Sequence, residues 1–259
     1  MSVDLHNHTA LCNHATGTSR EYIEKAIQNN IKYFGFSDHA PMNYDPKYRM
    51  KFEDMIEYES SILKLQNEYK KDLHVLLGYE VDFLEGYIDE RVLKSKVDYL
   101  IGSVHFIDKW GFDNPEFIGH YKNKNIDKIW EEYFEAISYL AKSGLFDVVG
   151  HIDLIKVFNF LPKKDIKTIA KNAIQEIKKA NMVVEINAAG FRKPVNEAYP
   201  SRSIMELLEE YDIPITFASD AHEPNQVGFK QKEIYALAKS HNYTQCATFI
   251  QKERIMIKF

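Results

Sequence analysis

Cysteine is nearly absent: only Cys12 and Cys246 occur in 259 residues, far apart in the chain. That excludes a disulfide framework and a thiolate metal motif, and it fits a reducing compartment. No uncharged apolar run reaches the roughly 18 residues of a membrane span. The opening stretch Met1-Ser2-Val3-Asp4-Leu5-His6 has neither the charged nor the apolar region of a secretion signal. The expectation is a cytoplasmic protein with no membrane partner. Positive charge is not in excess either. Lys and Arg number 33 against 38 Asp and Glu, a formal net charge of −5. This argues against nucleic acid as a partner, because binders of a polyanion carry clustered cations. Missing too are a Pro/Gly/Ser-rich linker, a repeat, a Gly-rich phosphate loop ending in Lys-Ser/Thr, and a G-x-S-x-G elbow.

What is present is a 45% hydrophobic fraction and 13% aromatics, which excludes a disordered chain. The length suits one large domain, and single α/β barrels commonly have this size. Short β-branched and aromatic runs predict seven strands: Val3 to His6, Tyr33 to Ser37, His74 to Phe83, Tyr99 to Phe106, Phe146 to His151, Met182 to Asn187 and Ile215 to Ser219. Helical patterns lie between them. The clearest is Ile166, Ile169, Ala170, Ala173, Ile174, Ile177 and Ala180, whose three- and four-residue spacing lines one face. Ser19-Arg20-Glu21-Tyr22 and Ser201-Arg202-Ser203 resemble helix starts. Repeated strand–helix units imply parallel strands and one closed or nearly closed barrel over residues 1–259.

The strand ends carry the chemistry. Asp4-Leu5-His6-Asn7-His8, Ser37-Asp38-His39, Gly102-Ser103-Val104-His105, Gly150-His151-Ile152-Asp153 and Ser219-Asp220-Ala221-His222 close five strands, while Gly78-Tyr79-Glu80 and Glu185-Ile186-Asn187 belong to two others. With His14, seven of the ten histidines fall in or just after such ends. In a parallel barrel all strand C-termini share one mouth, so these residues converge there. Imidazole and carboxylate without thiolate suit Zn, Mn or Fe. His6 and His8, two apart on a strand, face one side and can chelate one ion. More than four ligands exceed one tetrahedral site and require at least two ions with a bridging carboxylate. His74, His120 and His241 lie away from that mouth and are expected to be structural.

His6-x-His8, His14, Ser37-Asp38-His39, Glu80, His105, Gly150-His151 and Asp220-x-His222 together resemble the PHP (polymerase and histidinol phosphatase) superfamily over nearly the whole chain. Glu185 to Pro194 with Tyr199-Pro200-Ser201 resembles a segment of its monofunctional histidinol-phosphate phosphatase branch. The resemblance implies a distorted seven-stranded (β/α)7 barrel, TIM-barrel-like, holding three divalent ions (Zn, Fe or Mn) at the C-terminal strand ends. By it His6, His8, Glu80 and Asp220 bind the first ion, Glu80, His105 and His151 the second, and His14, His39 and His222 the third. Asp4, Asp38 and Asp153 are then candidates for orienting imidazoles from outside.

The activity so implied is hydrolysis of L-histidinol phosphate to L-histidinol and phosphate in histidine biosynthesis, by attack of a metal-bridging hydroxide. Glu80, Asp220, His222 and Arg192 are the candidate catalytic residues. A phosphate dianion also needs fixed cations, for which Arg192 and Lys156 are the candidates. Another PHP phosphoesterase, acting on nucleotides, phosphotyrosine or a 3′-phosphate, is the alternative, and an amidohydrolase-type C–N hydrolase the weaker one. The partner expected is a small phosphorylated substrate, with the chain a monomer or small homo-oligomer. Tyr44, Tyr48, Phe106 and Trp110 either cover the substrate's ring or merely pack.

Overall fold

A computed structural model describes residues 2–122 and 124–259 of the chain. Its frame is a seven-stranded parallel sheet of β1 (Ser2–Asp4), β2 (Ile31–His39), β3 (His74–Asp82), β4 (Tyr99–Ser103), β7 (Val148–Val149), β8 (Val183–Asn187) and β9 (Ile215–Ala218), in that spatial order. Each expected strand is present, several of them shortened. The run from Tyr99 to Phe106 divides, because Phe106–Ile107 (β5) turns back on Trp110–Gly111 (β6) as a short antiparallel hairpin.

The sheet nearly closes on itself. Leu5 N donates to Phe217 O at 3.0 Å, and beyond the strands Asn7 bridges Ala221 while His8 N donates to Ala221 O at 3.0 Å. Asp4 braces this seam. It accepts from Ser219 N at 2.9 Å, Ser219 Oγ at 2.6 Å and Gly228 N at 3.1 Å. Asp4 thus holds β1 to β9 instead of orienting an imidazole, and its burial raises its pKa.

Among the described residues, seven α-helices connect the strands and pack outside: α1 (Ser19–Gln28), α2 (Met55–Tyr69), α3 (Glu90–Leu93), α4 (Ile126–Ser143), α5 (Ile166–Lys179), α6 (Arg202–Glu210) and α7 (Gln231–Ser240). On α5 the expected stripe of Ala170, Ala173, Ile174 and Ile177 is the buried face. The cap of α1 is Thr18, one residue before the expected Ser19, in a reciprocal capping box with Glu21. Ser201 occupies the cap position of α6 without a side-chain bond, its N–H donating instead to Asp153 Oδ2 at 2.8 Å.

Inside the barrel, Tyr99 extends its hydroxyl to Leu5 O across Gly35 and Gly78. A Cβ on Gly35 would lie 1.9 Å from that hydroxyl, so the close approach requires glycine there. The end opposite the histidines is closed by a C-terminal hairpin, β10 (Gln245–Ile250) with β11 (Glu253–Lys258). Phe249 stacks on Tyr99 with centroids 5.9 Å apart, and Gln251 N donates to Asp98 Oδ1 at 2.9 Å. This hairpin lies outside the seven-strand pattern and the expectation omits it. No described helix is long and apolar enough to cross a membrane.

Candidate metal centre

Parallel register sets the level of the strand ends. His39 on β2 lies directly beside Glu80 on β3, and Asp82 beside Ser103 on β4. Side chains alternate across a strand, so the residues two apart, His6 and His8 or Glu80 and Asp82, repeat on one side. The result is a carboxylate surrounded by imidazoles. Glu80 Oε2 lies 3.3 Å from His6 Nε2, 2.9 Å from His39 Nδ1 and 3.8 Å from His8 Nε2. Glu80 Oε1 lies 2.9 Å from His151 Nε2 and 3.6 Å from His105 Nε2.

Two further groups adjoin it. Asp220 Oδ1 is 3.1 Å from His8 Nε2, and Asn187 Nδ2 donates to Asp220 Oδ2 at 3.2 Å. Asp220 has a φ of +52°, a left-handed backbone that costs a non-glycine residue about 1 kcal/mol and is typical of functional sites. On the outer side His14 Nε2 and His222 Nε2 are 3.0 Å apart, with His39 adjacent to both. His14 is brought there by Thr16 N donating to His222 O at 2.8 Å.

Divalent ions fit this arrangement. Two donors bound at 2.0–2.2 Å to one tetrahedral ion lie ~3.4 Å apart, inside the 2.9–3.8 Å range around Glu80. His6 Nε2 and His39 Nδ1 are buried without a hydrogen bond, which costs free energy unless something else takes their lone pairs. Among the described residues four groups bring ligand atoms close enough to share an ion: His6, His8 and Glu80; Glu80, His105 and His151; His14, His39 and His222; and His8, Cys12 and His222. Cys12, unforeseen from its sequence position, sits within ligand reach of His8 and His222; its thiol donates to Thr9 O at 3.1 Å.

The outward ring nitrogens of five of these histidines are also held, while that of His151 has no partner among the described residues. His6 Nδ1 meets Glu185 Oε2 at 2.9 Å, His8 Nδ1 meets Asp38 Oδ1 at 3.3 Å, and His105 Nδ1 meets Asp82 Oδ1 at 2.7 Å. His14 Nδ1 meets Cys12 O at 2.9 Å and His222 Nδ1 meets Asp220 O at 3.1 Å. When such a ring is neutral, donation at Nδ1 leaves Nε2 as a lone pair aimed inward, the tautomer a metal requires. Asp38 thus makes the imidazole contact that an orienting role would need. Glu185 and Asp82 share that role unforeseen, although each stands two residues from an identified strand-end residue, a spacing that could have found them.

Charge in the site is tightly balanced. Burial raises the Glu80 pKa, but the surrounding His39, His6 and His105 rings outweigh it and hold the group well below the usual carboxylate range. Burial pushes His39 down to about 4 against the pull of Glu80, so this ring is neutral and able to ligate at pH 7. For Asp82, burial is again opposed, here by the Arg49 guanidinium and His105, and the acid is held well below its ordinary value.

A cavity of about 560 Å³ opens over these residues, in the size range of small-ligand sites. Its wall includes Arg192, Arg49, Tyr48, Phe106 and Tyr199. Arg192 directs Nη2 at Ser219 O and Asp220 O, 3.0 and 2.8 Å away, while Nη1 has no partner. Tyr48 and Phe106 thus face the cavity, whereas Tyr44 donates to Lys109 O at 2.6 Å and Trp110 packs on Tyr121.

Lys156 is not among the residues lining the cavity. The 3-10 turn Leu154–Lys156 buries it, and its ammonium contacts Glu197 Oε1 at 2.7 Å, Ala198 O at 2.8 Å and Asp153 Oδ2 at 3.1 Å. The expected phosphate contact gives way to an internal clamp, and Asp153 serves that clamp and Ser201 N instead of an imidazole. Lys156→Met should lower stability by about 3 kcal/mol, since it strands a buried carboxylate, while leaving KM unchanged. Thermal unfolding and steady-state kinetics check both. His74, His120 and His241 lie apart from the centre: His74 stacks on Tyr33, His120 packs near Trp110, and His241 pairs with Glu209 at 3.1 Å.

The chain is similar to known proteins over most of its length. The PHP domain model matches residues 4–189. A Deinococcus radiodurans protein named probable histidinol-phosphatase is 40% identical over 232 residues, covering 88% of each chain. The histidinol-phosphatase of Bacillus subtilis is 27% identical over 258 residues, covering 87% of this chain and 95% of its own. Among solved structures, histidinol phosphate phosphatase from Lactococcus lactis, crystallised with zinc, L-histidinol and phosphate, superposes with a TM-score of 0.81 at 20% identity, covering 98% of both chains.

Proposed function

The chain belongs to the PHP domain family, and from that membership we propose that it is a metal-dependent phosphomonoesterase converting L-histidinol phosphate to L-histidinol and phosphate. The observation that carries the proposal is Glu80, a buried carboxylate with five imidazoles around it at the floor of a cavity that Arg192 also lines. The likeness to relatives named for this reaction supports the substrate.

In this proposal His6, His8, Glu80 and Asp220 hold one divalent ion, Glu80, His105 and His151 a second, and His14, His39 and His222 a third, with Zn, Fe or Mn as the metals. When bound, such ions supply Lewis-acid charge for the phosphoryl oxygens and an activated water. The chain supplies the rest. Glu80, which belongs to both of the first two groups, would be the carboxylate they share. Asp220 and His222 join the inner and outer groups through one strand end. Arg192, which lines the cavity, would bring its guanidinium charge to a phosphate oxygen, and partial burial would make that contact stronger than it is in water. No side-chain nucleophile is needed, in keeping with the absent G-x-S-x-G elbow.

Phosphate release from histidinol phosphate, other phosphomonoesters and a cyclic nucleotide, each with and without chelator, tests the proposal. Histidinol phosphate is expected to lead the panel by at least tenfold in kcat/KM, with all release abolished by chelation. Equal rates across the panel refute the substrate assignment, and chelator-resistant release refutes the metal centre.

A further inference from the structure

We propose that Arg49 is a positioning residue for the second ion site: through Asp82 it fixes the ring of His105, and so sets how tightly the group Glu80, His105 and His151 holds its metal. The proposal rests on the three-ion reading above and deepens it.

Arg49 comes from the loop between β2 and α2, nowhere near the strand ends in sequence, yet it is only 4% exposed. Its Nε donates to Asp82 Oδ2 at 2.6 Å, while Asp82 Oδ1 takes His105 Nδ1 at 2.7 Å. The two carboxylate oxygens are thereby committed in opposite directions, one to the cation and one to the ring. A planar guanidinium restricts the rotation of the carboxylate it grips more than an ammonium does, so the ring plane of His105 is specified through Asp82. Its Nε2 then points towards Glu80 Oε1 at 3.6 Å, too far for a hydrogen bond and suited to an ion between them.

Arg49 is itself anchored. Nη1 donates to Asp45 O at 2.6 Å, the guanidinium lies over Phe106 at 5.3 Å, and Arg49 O accepts from Asn13 Nδ2 at 2.9 Å. One residue therefore ties together the loops after β1 and β2 and the end of β3. Among the described residues, the other carboxylates that orient a ring have no such cation: Asp38 is bonded to Thr9 and Glu185 to Asn187. Asp82 is buried as a charge and needs compensation that those neutral donors would not provide.

Zinc titration of chelator-stripped full-length protein, in competition with a fluorescent chelator, tests the proposal on wild type, Arg49→Met, Arg49→Lys and Asp82→Asn. Arg49→Met should weaken one of the zinc sites by 10- to 100-fold, the usual range for losing an outer partner of a ligating histidine. It should leave the others intact, lower kcat at limiting zinc, and recover at saturating zinc with KM unchanged. Arg49→Lys should restore part of the affinity, and Asp82→Asn should match Arg49→Met, with the double variant no weaker than either. Unchanged zinc affinity in Arg49→Met, or a KM raised tenfold at saturating zinc, overturns the proposal. Should Arg49→Met fail to fold, the nearly isosteric Asp82→Asn decides in the same way. Wild type that binds zinc but releases no phosphate from histidinol phosphate sinks the phosphatase reading and leaves this one standing; wild type that binds no zinc sinks both.

Discussion

Glu80→Gln is expected to lower kcat/KM by at least a thousandfold, about 4 kcal/mol of transition-state stabilisation, and to reduce bound metal by at least one equivalent. The substitution keeps the shape and removes only the charge. The five imidazoles around Glu80 stand at 2.9–3.8 Å from its oxygens, so in the proposed site a neutral amide would have to stand in for the one carboxylate that all five rings face. Asp220 meets only His8 among the described inner rings within 3.1 Å, and Asp82 is committed to Arg49 and to the outward nitrogen of His105. Elemental analysis of metal-replete protein, together with kinetics and circular dichroism to show a retained fold, checks the result. Full metal content with near-normal rate would overturn the role proposed for Glu80.

Arg192→Ala should reduce kcat/KM about a hundredfold, near 3 kcal/mol, the scale of one lost charge-assisted contact to a developing anion. Two features make this residue the stronger of the two expected cations. It lines the cavity, as Lys156 does not, and its Nη2 is anchored on the carbonyls of Ser219 and Asp220, so the guanidinium is held at the mouth before substrate arrives. The anchoring also offers a competing explanation, that Arg192 only straps Asp220 in place. Metal content separates the two. Binding of phosphate predicts lost rate with full metal content, whereas a strap predicts that rate and metal fall together.

The metal chemistry was legible in sequence because two rules act locally. Alternation places His6 and His8 on one side, and parallel pairing puts every C-terminal strand end at one level, as the neighbouring positions of His39 and Glu80 illustrate. The same alternation extends to Asp82 and Glu185, whose orienting roles are visible in hindsight. Proximity in sequence misled at Lys156. It stands five residues after His151, but the intervening 3-10 turn carries its ammonium inward to Asp153 and Glu197. The C-terminal hairpin was missed for a different reason: its strands pair only with each other and pack against the closed end of the barrel.

Residue types and their spacing along the strands alone determined the barrel class, the mouth where function gathers, and the nitrogen- and oxygen-rich donor set. The tertiary structure alone decided which imidazole faces which carboxylate, that Arg192 reaches the cavity and Lys156 does not, and that Arg49 arrives beside Asp82 from a distant loop. The reason is physical. A strand's period of two and its parallel register are properties of the backbone and can be read locally, whereas the docking of loops and the partner of a buried charge depend on contacts that exist only once the barrel has closed.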